Sequence, residues 1–109
     1  MSKNKQTEEI YEIYDKLNDQ YFHGELPYIR ILWSDRFGHG EWFKQFGDFT
    51  VLPGKKPLIR LSQKLCNAPK EIARVLYHEM VHWWLYASKK PWGHTKEFKK
   101  KLKEFKVYT

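Results

Sequence analysis

Residues 78–82 read His-Glu-Met-Val-His. On a helix, His78 and His82 stand one turn apart on one face, so both imidazoles can reach one metal ion. Glu79 sits one position round and can hold a water beside that ion. This is the HExxH spacing of zinc hydrolases. Zinc lowers the pKa of a water towards neutrality, the glutamate takes the proton, and the resulting hydroxide attacks a polarised carbonyl. With five His in the chain, chance supplies roughly 0.02 such matches. The competing reading is a pair of core histidines bonded to backbone. It must also account for Glu79, because a buried carboxylate without a partner is costly.

A catalytic zinc takes three protein ligands and keeps one position open. The metzincin pattern fails, since Leu85 and Ser88 occupy the places where it needs Gly and His. His94 is the leading third ligand, with Glu97 its main rival and Glu104 behind. His94 lies four residues before Phe98 and eight before Leu102, extending their inward stripe. The helix climbs about 9 Å from His82 to Ser88, and six extended residues from Ser88 span up to about 20 Å. Pro91 and Gly93 are expected to turn the chain back. Tyr86, Arg36 and Tyr77 are minor candidates for an oxyanion donor. His23 and His39 read as turn residues, and Cys66 as a small packing residue.

These groups need elements to hold them. A first helix is expected from about Thr7 as its cap to Phe22, with Ile10, Ile13, Tyr14, Leu17 and Tyr21 inward. "YIRILW" (28–33) alternates as a strand does. A second strand is expected within Trp42–Leu52 and a third at 58–62, separated by the turns "DRFGHGE" and "PGKKP". Pro69 can open a central helix running to about Ala87, and a last helix is expected from about Thr95 to Lys106. The layout is α+β: one domain over 1–109, core about 7–106, with a small, mostly antiparallel sheet packed with three helices.

The chain has 109 residues and a net charge of +7, which is one small domain. Residues 89–109 carry +6 of that charge, as eight Lys and two Glu. Lys96, Lys99, Lys100, Lys103 and Lys106 fall mostly on the outer face of the last helix. They are the candidate nucleic-acid contacts, although a solvated lysine face is an equal reading. The single cysteine, Cys66, leaves no internal disulfide and no four-cysteine zinc ribbon. An intracellular location, cytoplasmic or nucleoid/nuclear, is the expectation. The first residues lack the apolar core of a signal peptide. The longest apolar run, 83–87, is too short for a bilayer, so no membrane is expected as partner.

Five segments in order, "LNDQYFHGELP" (17–27), "ILWSDRF" (31–37), "IRLSQKL" (59–65), "LYHEMVH" (76–82) and "GHTKEF" (93–98), resemble the SprT-like (Spartan-related) zinc metalloprotease domain. The resemblance spans roughly residues 10–105. It implies a zincin-type core binding one Zn2+ per chain through His78, His82 and His94, with Glu79 as the catalytic carboxylate. It implies a protein or peptide substrate, including proteins bound or crosslinked to DNA, with DNA as activator. It also implies that an extended substrate adds to an edge strand beside the active helix, which a strand between Trp42 and Leu52 can supply. Two departures stand out. Thr95 replaces the glycine that often follows the third histidine, and the C-terminal cysteine ribbon of many members has no counterpart in the residues present. The basic last helix then substitutes for it, or DNA plays no part, or the chain is an isolated domain. Trp83, Trp84, Trp92, Phe43 and Phe46 are candidates for stacking on unpaired bases, with core packing the commoner role. Two other functions stay open: a zinc-containing nucleic-acid-binding module without protease activity, and a zinc hydrolase of non-protein amides.

Overall fold

A computed structural model describes residues 2–35 and 46–105, with side chains from residue 7 onward. Among these residues are three α-helices, one short 3-10 helix (Gln63–Leu65) and a three-stranded sheet. Helix α1 spans Ser2–Phe22. It begins five residues earlier than expected, so Thr7 is a helix-interior residue and not its cap. Nothing in "SKNKQ" forces a stop, since the run has neither Pro nor Gly. Ile10, Tyr14, Leu17 and Tyr21 are buried as their spacing requires. The helix ends at the left-handed pair His23 (φ 58°) and Gly24 (φ 69°), where the Gly24 N–H donates to the Asn18 carbonyl. His23 is therefore the exposed turn residue expected.

The strands are β1 (Arg30–Ser34), β2 (Gly47–Thr50) and β3 (Leu58–Ser62). β1 starts two residues later than its alternation suggests. The segment before it is held by a side chain instead: the Tyr11 hydroxyl donates to the Ile29 carbonyl and accepts from the Ile31 N–H. The strand order is β1-β3-β2. β1 runs parallel to β3, with Ile31 opposite Ile59, and β2 runs antiparallel to β3, with Gly47 opposite Leu61. One pairing of two is parallel, so the small sheet is mixed. Asp48 and Arg60 face each other across β2 and β3 and form a two-point ion pair.

Helix α2 spans Pro69–Ala87, as its sequence predicts, with proline in the first turn. Ile72, Leu76, Tyr77, Met80, Val81 and Leu85 on it are all buried. Gly47 lets β2 approach this helix. A Cβ there would lie 2.9 Å from Val75 Cγ1 and 3.0 Å from the Arg60 carbonyl. Gly47→Ala is therefore expected to destabilise the protein by about 1–3 kcal/mol, the usual range for overpacking. Urea denaturation checks this, and an unchanged midpoint would deny the close approach.

Helix α3 is shorter than expected, covering Lys96–Leu102, with the Thr95 hydroxyl accepting from the Phe98 N–H as its cap. Its end has a physical cause. The Tyr77 hydroxyl donates to the Lys101 carbonyl, and the chain tightens there into a Glu104-to-Lys101 bond three residues apart. Lys101, which the outer-face reading left out, turns inward. Its Nζ bonds the Tyr21 carbonyl and sits 4.8 Å from the Phe22 ring centre and 5.1 Å from that of Trp84. Among the described residues no helix is long and apolar enough to cross a membrane.

Candidate metal centre

Two helices and the loop between them build the site. α2 carries His78, Glu79 and His82 in its middle turns, where the chain is packed on both sides. After Ala87 the chain reverses through Lys89 in the left-handed region (φ 61°), with the Lys90 N–H donating to the Leu85 carbonyl. The turn expected of Pro91 and Gly93 is thus made earlier, by a non-glycine residue, which is uncommon. A Cβ on Gly93 would meet nothing within 4 Å. The reversal returns His94 to the two helix histidines. Ring-centre separations are 5.2 Å for His78–His82, 5.3 Å for His78–His94 and 5.1 Å for His82–His94.

One nitrogen from each of the three rings lies within 4.8 Å of the others. Zinc–imidazole bonds of about 2.0–2.1 Å put ligand nitrogens roughly 3.3 Å apart, so binding would draw this triangle in. The donor set therefore fits one metal ion. His82 is already oriented for it. Its Nδ1 lies 2.6 Å from the Trp92 carbonyl oxygen, so Nδ1 carries the proton and donates, leaving the Nε2 lone pair available to a metal. All three imidazoles rest on Phe98, which is 2% exposed. Its ring centre is 5.0, 4.5 and 4.7 Å from those of His78, His82 and His94.

Burial, reinforced by the neighbouring histidines, lowers His78 to about 4. Burial also lowers His82, and His94 adds to the shift. His78 is thus neutral at physiological pH, the state a ligand needs. Glu79 is 6% exposed and takes no place in the histidine cluster. Burial first, and the Asp48 carboxylate second, push it up from 4.5 to about 8 in the metal-free protein. A folded-state pKa above the unfolded one contributes stability that is present below about 4.5 and lost as pH rises through 8. Glu79→Gln removes the titration. Without metal, that variant is expected to gain stability relative to wild type between pH 5 and pH 9. Urea midpoints at the two pH values check it; a difference independent of pH would contradict it.

Glu79, His78, His82 and His94 line a cavity of about 530 Å3, closed on the sheet side by Gly47, Asp48 and Phe49. A second cavity, of about 490 Å3, shares Gly47, His78 and Glu79 and continues past Tyr77 to Leu102 and Phe105. The rival ligands are occupied elsewhere: Glu97 pairs with Lys90 and Glu104 with Lys101. Tyr77 is no oxyanion donor, because its hydroxyl is spent on the Lys101 carbonyl. Tyr86 packs in an aromatic wall with Phe49 and Trp92. Trp83 and Trp84 pack with the core, whereas Trp92 and Phe46 are exposed. Lys96, Lys99, Lys100 and Lys103 are exposed. Arg36, His39, Phe43 and Lys106 lie outside the described residues. Sequence reasoning missed the Trp92 carbonyl and the Asp48–Arg60 pair beside Glu79; a backbone acceptor has no residue signature, and a lone Asp in a strand gives none.

Two comparisons bear on the whole arrangement. The model of the SprT-like family matches residues 10–108. No curated protein matches the chain.

Proposed function

The chain belongs to the SprT-like family, and from that premise we propose that it is a zinc-dependent endopeptidase. The observation carrying this reading is the buried Glu79 in one cavity with three converging imidazoles. His78, His82 and His94 would hold the ion. When bound, zinc supplies Lewis-acid polarisation of a carbonyl and a lowered pKa for water. Glu79 takes the proton of the attacking water on a carboxylate oxygen and later delivers it to the leaving amine. Its burial suits a group that must hold a proton at neutral pH. The metal-free value of about 8 lacks the influence of a cation, which draws a carboxylate back towards its charged form. Imidazole ligands with one carboxylate left uncoordinated favour a catalytic site over a closed structural one.

β2 stands at the end of the strand order and runs beside the cavity. An extended peptide adding to it would bring a carbonyl to the histidine cluster by backbone pairing. We extend the reading to substrates held on DNA, inside the cell. The exposed lysines of α3 support this, as a cationic face suits phosphates.

The test incubates the zinc-loaded protein with a DNA-binding protein, with and without single-stranded DNA, beside Glu79→Gln. Cleavage by wild type only, faster with DNA, is the expected result. Cleavage indifferent to DNA would remove the DNA part and keep the peptidase. Zinc binding without cleavage in either condition would favour a nucleic-acid-binding module.

A further inference from the structure

Beyond the metal centre, three cavities adjoin in series. The metal-side cavity is followed by one of about 550 Å3, which shares Trp92 with it. A third, of about 570 Å3, shares Pro57 and Trp83 with the second. β2 links the ends of this series: its Gly47, Asp48 and Phe49 line the first cavity and its Thr50 the third, where Leu52, two residues past the strand, also lies.

The outer two cavities have an unusual lining. Arg30, Lys55 and Lys56 border the third, and Lys89 and Lys90 the second, with no Asp or Glu among the described lining residues of either. Lys90 is paired with Glu97 at 2.7 Å. The other four cations have no carboxylate partner among the described residues. Between these charges lie solvated apolar groups: Tyr28 is 75% exposed, Leu52 51% and Trp92 40%. Apolar surface left in water and rimmed by charge of one sign marks an interaction site.

We infer that this groove receives the part of the substrate polypeptide that continues along β2 past the metal centre, and that it selects a stretch mixing acidic with apolar residues. The inference rests on the peptidase reading. The path of β2 favours a polypeptide over other polyanions. A paired extended chain advances about 3.3 Å per residue, so the three steps of β2 from Gly47 to Thr50 carry it roughly 10 Å. Residues about three or more positions from the scissile bond would then enter the third cavity, which Thr50 lines. Its floor includes Leu52, Pro57 and Leu58. Tyr28 and Trp83 line it too and offer ring faces, so the choice of a polypeptide rests on the path of β2.

The test separates binding from hydrolysis by using zinc-loaded Glu79→Gln. Two fluorescein-labelled peptides of equal length carry leucines alternating with either glutamate or lysine through one half. Fluorescence anisotropy is expected to give at least tenfold tighter binding of the glutamate peptide. Adding Lys55→Glu and Lys56→Glu should abolish that preference, while the same charge change at Lys16 and Lys70, outside these three cavities, should leave it in place. Equal affinity for the two peptides, or a preference that survives the Lys55 and Lys56 changes, would overturn the inference. A labelled single-stranded oligonucleotide that loses affinity with those changes, while the peptides do not respond, would reassign the groove to nucleic acid and overturn it as well. If wild type fails to cleave the glutamate peptide while the binding preference holds, the peptidase reading falls and the groove stands as a peptide site.

Discussion

Glu79→Gln is expected to retain zinc and to lose hydrolysis by about 10²–10⁴-fold, the range for removing a positioned general base. The amide has nearly the volume of the carboxylate, so α2 keeps its packing. The histidine cluster does not include Glu79, so the ligand set is unchanged. What disappears is a group able to accept a proton inside the cavity, where the side chain is 6% exposed and sheltered from substitution by bulk water. Metal analysis of the purified variant and initial rates on a peptide substrate measure both halves. A rate within tenfold of wild type would end the proposed role, and lost metal would mean that Glu79 binds the ion directly.

His94→Ala has the second large effect expected, and it falls on the metal. Changes to groups that merely orient a ligand cost about 10–100-fold in affinity; loss of a ligand should exceed about 100-fold. The same change should move metal-free stability by less than about 0.5 kcal/mol, the usual range for surface positions, because His94 is exposed in the loop before α3. That contrast is what distinguishes a ligand from a packing residue. Competition against a chromophoric chelator gives the affinity, and urea denaturation gives the stability. Unchanged affinity would pass the role to another group, Glu97 first, although Glu97 is held by Lys90.

The parts of this site that could be read in the sequence are those with a period. His78 and His82 share a face because four residues make about one helical turn, and α2 begins and ends where Pro69 and Ala87 suggested. His94 could be placed because it continues the inward stripe of Phe98 and Leu102. What could not be read depends on partners distant in sequence. The segment before β1 is held by Tyr11, 18 residues before Ile29, whose hydroxyl takes up the Ile29 carbonyl. α3 ends early because Tyr77, 24 residues before Lys101, takes up a helix carbonyl. Lys101 looks like any surface lysine in a run of three, yet two rings and a carbonyl await it. The parallel pairing of β1 with β3 was equally hidden, since alternation fixes the faces of a strand and not its neighbour.

Phe98 lies both in the core and beneath three imidazoles, and it belongs to a helix of seven residues. Helices so short are not stable in isolation, so α3 persists only while docked. The free energy that seats Phe98 is therefore the same free energy that keeps a surface under the histidines and His94 near them. Residence of a bound ion would then be limited by local opening of the C-terminal segment, a sub-global event that requires less free energy than unfolding the sheet and α2. In kinetic terms a bound metal would escape from a molecule most of which is still folded. Ligation in turn would clamp the segment that carries the basic face.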